Sequence, residues 1–493
     1  MKELLGRCQA VCLTNRQWLY LLLIGLASQL LYLRFFLRPY PLLAYYAVPL
    51  LDLGKLTGYS QTAALGFFVA FLLLFALCYG AYVLCRGRRS HTGLLIVLLF
   101  AFLSGLALVL VYPITAADVF EYIAYARITV QHGANPHLYR PADFLDDPLM
   151  WYSAWPHITS PYGPLWTYLS TVIGVLSGSS LLSYMLLFKV LALAVHLVNS
   201  GVVYGILKNW RPSYALAGTV LYAWNPLVLF ESAGGAHNDG LVMLPVLLAC
   251  YLFVRGRFAL AIPVASLSWL VKMPTVIVVP FFVVGGWRAL SGGKRGLRVV
   301  VTGVALAAAL VILLHAPLWE GSSSLGWLAR ESLFTSSFAT LAVLTLQRWI
   351  EDLKLAQGLV RYAVLGLFYL FYVWQLFRLK GETGSLLRGL YWTVFVFLSF
   401  AVLWFQPWYV VWLVPLGAIT ASLELARLTT LFSYTTTWNY LVYLFFLMWY
   451  YRLMTAGDGL VVNLMAVMLI FGPPLAYAAY LVARRWFPHA ELV

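Results

Sequence analysis

Apolar stretches that reach or approach membrane length recur from one end of the chain to the other, separated by short polar breaks. A helix crosses the hydrocarbon core with about 20 predominantly apolar residues. Runs of this kind lie near residues 17–36, 61–84, 92–112, 182–207, 214–230, 240–254, 298–315, 359–377, 389–405, 408–423, 431–451 and 460–482. Two shorter runs, 258–271 and 274–286, are joined by Lys272-Met273. At 1.5 Å per residue each covers only about 21 Å, which predicts a hairpin whose tip stops short of the far surface. Segments 164–176 and 334–349 are apolar and aromatic but too short to cross, and read as interfacial helices. The pattern predicts an all-α polytopic integral membrane helical bundle, with about fourteen spans or re-entrant helices in a single domain covering residues 1–493.

Charge orients this bundle. Lys and Arg cluster in short loops, as at Arg86, Arg88 and Arg89, at Lys208 and Arg211, at Arg255 and Arg257, and at Arg288, Lys294, Arg295 and Arg298. The positive-inside rule places these loops and both termini in the cytoplasm, so the expectation is a multi-pass membrane protein with an extracytoplasmic working face. A formal charge of +15 dispersed in this way sets topology, and a nucleic-acid partner is not expected. With 63% hydrophobic and 10% charged residues no soluble domain is visible. None of the five cysteines falls in a long outer loop, which argues against a disulfide framework or a thiolate metal site. The first run has a basic flank without a small-residue cleavage site, and reads as an uncleaved span.

Acidic residues collect on the opposite side, in outer loops at 112–182, 231–240 and 316–358. The 55 residues from Tyr112 to Trp166 hold Asp118, Glu121, Asp143, Asp146 and Asp147, five of the 17 acids in the chain. Acids contribute little to topology, so their concentration predicts a polar working face. Asp118 follows the 92–112 run closely and is expected at its water-facing end; Asp143, Asp146 and Asp147 are expected to solvate the loop. If a helix continues past Asp118, Glu121 shares its face and Arg127 follows further along. Glu231, His237, Asn238 and Asp239 fall on the same side, where Gly234, Gly235 and Gly240 permit the tight path of a binding loop. His237 and Asp239 are too few for a metal site, and no Asp-x-Asp or His-Glu-x-x-His occurs, so no metal is expected. Lys272 is an intramembrane charge that would cost about 2–3 kcal/mol unpaired. It either snorkels to the interface or holds a phosphate at the membrane boundary. Trp404, Trp408, Tyr409 and Trp412 read as an aromatic belt, or, through the Gln406-Pro407 break, as the wall of a cleft.

The succession Asp118-Val-Phe-Glu121-Tyr with Arg127, Gly133-Ala-Asn135-Pro136, Ser160-Pro-Tyr162-Gly163-Pro164, Asn225-Pro226, Gly235-Ala-His237-Asn238-Asp239, Lys272 and Gln406-Pro407-Trp408-Tyr409 resembles the polytopic GT-C glycosyltransferases. It is most similar to the polyprenol-phosphate-mannose-dependent α-mannosyltransferases of bacteria. The resemblance implies a catalytic carboxylate in the first large extracytoplasmic loop, where Asp118 is the matching position, with Glu121 beside it. It implies a polyprenyl phosphate sugar as donor, a glycan or glycolipid as acceptor, and no cofactor, the lipid-linked sugar being a substrate. Transfer would then invert the anomeric centre, with Lys272, His237 and Arg330 holding the donor phosphate. Arg127, Asn135, Tyr162, Glu231, Asn238, Asp239, Gln406, Trp408 and Tyr409 complete the implied substrate site, and Trp151, Tyr152, Trp155 and Tyr162 could stack on sugar. The chain departs from the family plan in carrying about two spans before the span of the acidic loop, and in having no evident large C-terminal soluble domain. A transporter or flippase of lipid-linked sugars is the alternative. It would tend to show paired halves with related broken helices; no such repeat is visible, and the acids lie on one face instead of near the midplane.

Overall fold

The computed structural model describes residues 2–321, 334–450 and 459–486, and among these the architecture is helical, with only two isolated β-bridges. Among the described residues eight helices are long and apolar enough to cross a membrane: Arg16–Leu37, Gln61–Cys85, His91–Val109, Leu181–Trp210, Gly293–Leu318, Leu353–Arg378, Thr383–Ala401 and Gly459–Arg484. A ninth is formed if the bent pair Pro226–Gly234 and Asp239–Val254 counts as one span. The all-α polytopic membrane fold therefore stands, while apolar runs and span-length helices are not in one-to-one register. The 214–230 run breaks at Asn225-Pro226, the hairpin arms are Phe258–Trp269 and Met273–Ala289, and the 408–423 run is the short Pro407–Ile419. Helices Gly293–His315 and Leu353–Arg378 turn Ile312, Leu313, Tyr362, Leu367, Leu370 and Phe377 outward. Such faces are stable only against an apolar surrounding.

Three local structures position the site. The first is the loop helix Asp118–Val130, whose first turn carries Asp118 and Glu121, where the partial positive charge of a helix N-terminus favours carboxylates.

The second is the bend of 120° between Pro226–Gly234 and Asp239–Val254. Asn225 caps its start by accepting the Leu227 and Val228 N–H groups through Oδ1, with Pro226 in the first helical position. The helix then widens through Phe230–Gly234, and Ala236 takes φ +61° before Asp239 begins the next helix. From behind, helix Leu181–Trp210 braces this turn: Asn199 Nδ2 donates to the Gly240 carbonyl at 2.8 Å and Lys189 Nζ to the Gly234 carbonyl.

The third is the hairpin tip around Lys272. The Gly163 and Leu165 N–H groups donate to the Val271 and Leu270 carbonyls at 2.9 and 3.1 Å, joining the acidic loop to the tip. A Cβ on residue 163 would lie 2.2 Å from the Leu270 carbonyl oxygen, so this approach requires glycine.

Candidate active site

These three structures meet around a cleft of about 610 Å³, whose walls include Asp118, Glu121, Tyr125, Trp155, Tyr162, Lys272, Trp404, Trp408 and Tyr409. Asp118 keeps 19% of its side chain exposed at the cleft. Behind it lies His237, buried, with Nε2 3.8 Å from Asp118 Oδ2. The other ring nitrogen, Nδ1, is 3.1 Å from Glu231 Oε2 and 3.2 Å from the Glu231 carbonyl oxygen. Tyr440 donates its hydroxyl to Glu231 Oε1 at 2.6 Å. The imidazole is stacked on Trp408 with ring centroids 4.3 Å apart. The acids and the imidazole, read as two separate groups in the sequence, are thus one connected row of side chains.

Lys272 lines the same cleft and is neither unpaired nor snorkelling. Its Nζ lies 2.9 and 3.1 Å from the two Asp239 carboxylate oxygens, and 5.0 Å from the Tyr409 ring centroid. Asp239 also accepts Trp412 Nε1–H at 2.6 Å. Trp408 and Trp412 are buried, so these two work inside the protein and not as a lipid-facing belt.

Glu121 shares the cleft face with Asp118, as the helix register predicted, but its carboxylate serves the loop. It accepts Ser153 Oγ–H at 2.8 Å and the backbone N–H groups of Ala154 and Trp155 at 2.5 and 3.0 Å. Burial pushes its carboxyl up to about 7; the three donated hydrogen bonds pull it back in part, and the charge of Asp118 adds to the rise.

Arg127 does not pair with Glu121. It lies away from the cleft, its Nε 2.6 Å from Asp147 Oδ2, with His132 Nε2 3.2 Å from the same oxygen. Asp147 is therefore a buried anchor, not a solvated loop acid. Burial alone would raise its carboxyl, yet hydrogen bonds from Arg127 and the Leu149 N–H hold it below the usual range. Asn135 is also occupied away from the cleft, donating to the Leu318 carbonyl and Glu320 Oε1 at 2.9 and 3.1 Å.

Glu231, Asn238 and Asp239 are closed off inside the protein, all at most 2% exposed, in place of the open loop that the glycines suggested. The Asn238 amide finds no hydrogen-bond partner among the described residues. Gln406 is half-buried beside the cleft, and its carbonyl accepts the Tyr409 N–H. Trp155 stands in the cleft wall against Trp404, with centroids 6.3 Å apart. Trp151 is exposed and Tyr152 stacks on Phe120, so these two pack the loop. Arg330 falls in 322–333, outside the described residues.

Two contributors escaped the sequence reading. Lys189, fully buried within a span-length helix, holds the bend; a lysine inside an apolar run was the available signal. Tyr440 carries no sequence signal, because only the fold brings it to a residue 209 positions earlier.

The family model described as Alpha-(1->6)-mannopyranosyltransferase, N-terminal domain, matches residues 46–288. That range includes Asp118, Glu231, His237, Asp239 and Lys272 and stops before Trp408 and Tyr440. The chain is 23% identical to Alpha-(1->6)-mannopyranosyltransferase A of Corynebacterium glutamicum, over 63% of this chain and 68% of that protein. With the protein of the same name from Mycobacterium tuberculosis it shares 25%, over 68% and 67% of the two chains. Alpha-(1->6)-mannopyranosyltransferase B of C. glutamicum is 25% identical over 53% of this chain and 47% of its own length. A helical membrane protein with these likenesses is similar to the polytopic glycosyltransferases of the GT-C kind. More narrowly, it is a mannosyltransferase.

Proposed function

We propose that the chain moves mannose from a polyprenyl phosphate mannose donor to a hydroxyl of a glycan or glycolipid acceptor, at the extracytoplasmic face of a prokaryotic plasma membrane. An α-(1→6) linkage follows the relatives' names. The observation that carries this reading is the presence of Asp118 and Lys272 in one cleft between aromatic walls. A carboxylate and an ammonium facing one space suit a reaction that releases a proton at one end and an anion at the other.

Asp118 takes the proton of the acceptor hydroxyl as its oxygen attacks the anomeric carbon. The bond to the phosphate oxygen breaks on the opposite face, so configuration inverts. The departing polyprenyl phosphate is already anionic and needs no acid; Lys272 offers it a charge-assisted hydrogen bond. Asp239 pairs with that ammonium, and the phosphate shares or replaces it. Trp155, Trp408 and Tyr409 offer faces for the apolar side of a sugar ring.

The test is transfer by the purified protein in detergent from a synthetic polyprenyl phosphate mannose to a short mannoside. A mannosylated product that depends on Asp118 supports the reading. Absence of product, together with movement of the lipid-linked sugar across vesicles containing the protein, would replace it with a flippase.

A further inference from the structure

Asp118 is backed by a row of groups that base catalysis alone does not require. His237 Nδ1 faces two acceptors, the Glu231 carboxylate and the Glu231 carbonyl. That arrangement puts the ring proton on Nδ1 and leaves the Nε2 lone pair without a proton. Nε2 is buried, has no hydrogen-bond partner among the described residues, and faces Asp118 Oδ2 at 3.8 Å. The imidazole is buried, held by Glu231 at one edge and stacked on Trp408 by its face. Asp118, partly exposed at the cleft, is the member free to turn and close the gap.

The backbone is built around the same ring. A Cβ on Gly235 would sit 2.6 Å from His237 Nδ1, and Ala236 occupies the left-handed region at φ +61°. Left-handed backbone at a residue other than glycine is a cost that concentrates at functional sites.

We propose that His237 is a positioning residue that takes over the proton which Asp118 removes from the acceptor, with Glu231 and Tyr440 fixing the imidazole for that task. This rests on the reading of Asp118 as the base. The acceptor O–H bond breaks, its electron pair forms the new bond to the anomeric carbon, and the phosphate leaves with the pair of the old one. The proton passes from the acceptor to Asp118 Oδ2 and then to His237 Nε2. Asp118 is an anion again, and His237 becomes an imidazolium between the Asp118 and Glu231 carboxylates until the proton returns to water through the opened cleft. The charged and titratable groups around the ring are Asp118 from the loop helix, Glu231 from the bend, Asp239 from the following helix, Tyr440 through Glu231, and Lys272 through Asp239. The unit works with His237 neutral at the start of the cycle.

The experiment has an activity arm and a spectroscopic arm. In transfer assays with synthetic polyprenyl phosphate mannose, wild type loses kcat on acidification as His237 gains a proton, at a midpoint above that of an ordinary imidazole: burial opposes the charge, but Glu231, Asp118 and Asp239 together favour it. His237→Gln lowers kcat about 30- to 100-fold, changes the donor KM less than about threefold, and moves the acid limb to lower pH. A wild-type midpoint in His237→Gln, or a loss carried by KM, overturns the proposal. If Asp118→Asn remains active, the reading of the base fails instead, so the two failures are separable. The spectroscopic arm needs no turnover. Nitrogen NMR of the full-length protein labelled at histidine, with the His237 signals assigned by elimination in variants that replace the other histidines, should show the proton on Nδ1. The His237 titration should shift to lower pH in Glu231→Gln, which keeps the hydrogen bond and removes the charge. A proton on Nε2 in the neutral ring, or a titration unmoved by Glu231→Gln, overturns the proposal even if His237→Gln folds poorly.

Discussion

Lys272 and Asp239 form an ion pair at 2.9 Å inside the protein, 33 residues apart in sequence, with Trp412 donating to the same carboxylate. The pair accounts for a lysine tolerated within the membrane boundary, and it makes a simple removal of the lysine ambiguous. Breaking a buried pair on one side costs about 3–5 kcal/mol because the other charge is stranded. Lys272→Met should therefore destabilise the protein and also reduce use of the lipid donor by about 10- to 100-fold at limiting concentration. The double variant Lys272→Met with Asp239→Asn should recover much of the melting temperature but not the donor use. Lys272→Arg should keep part of the activity. Transfer measured against donor concentration for the three variants checks this, and wild-type donor use in the double variant would remove Lys272 from the phosphate site.

For the base, Asp118→Asn keeps size and most hydrogen bonding while removing the proton acceptor. Turnover should fall about 100-fold or more with a melting temperature close to that of wild type, since Asp118 is partly exposed and makes no tight contact. Glu121→Gln should lower turnover less. Steady-state rates and thermal unfolding in the same detergent decide between the two acids.

Glu121 gives a pH signature of stability. Its carboxyl stands at about 7 in the fold against 4.5 for the exposed group. Between those values the native state holds a proton that the unfolded chain has lost. Stability from this source is complete below about pH 4.5 and declines as pH rises through about 7, by roughly 3 kcal/mol in all. The Glu121→Gln variant should show a flatter dependence of melting temperature on pH across that window. Parallel curves for the two proteins would contradict the assignment.

Asp147 should matter for folding and not for chemistry. Asp147→Ala strands Arg127 in a buried site and should cost about 3–5 kcal/mol, while the double variant with Arg127→Met recovers part of it. Donor and acceptor KM should stay within about twofold in whichever of these proteins folds. A large KM change in a stable double variant would bring Arg127 back to the substrate.

The sequence made the helical architecture legible because membrane length is a local property of a run, and so is the placement of Asp118 just after one. The shared face of Asp118 and Glu121 was readable from helical spacing. Partnerships across long separations were not. The Glu121 oxygens are taken by residues 153–155, Arg127 by Asp147, and Lys272 by Asp239; periodicity carries no information about which distant element supplies a partner. The glycines around residue 235 did signal an irregular backbone, but not that its side chains turn inward under Trp408. The segment Gln406–Tyr409 was readable both as a belt and as a wall, since aromatic residues serve either use until their neighbours are known.

The seam between the acidic loop and the hairpin tip is made of peptide groups: two main-chain hydrogen bonds, to the Val271 and Leu270 carbonyls, with Gly163 as the point of closest approach. Every residue except proline can supply a backbone N–H, so the alignment of these two strips is indifferent to most side-chain replacement along them. The spacing of Asp118 and Lys272 across the cleft is thereby insulated from most side-chain replacement along the seam. The walls of the cleft can therefore vary while these two residues keep their spacing, and position 163, where a Cβ would meet the Leu270 carbonyl, is where that freedom stops.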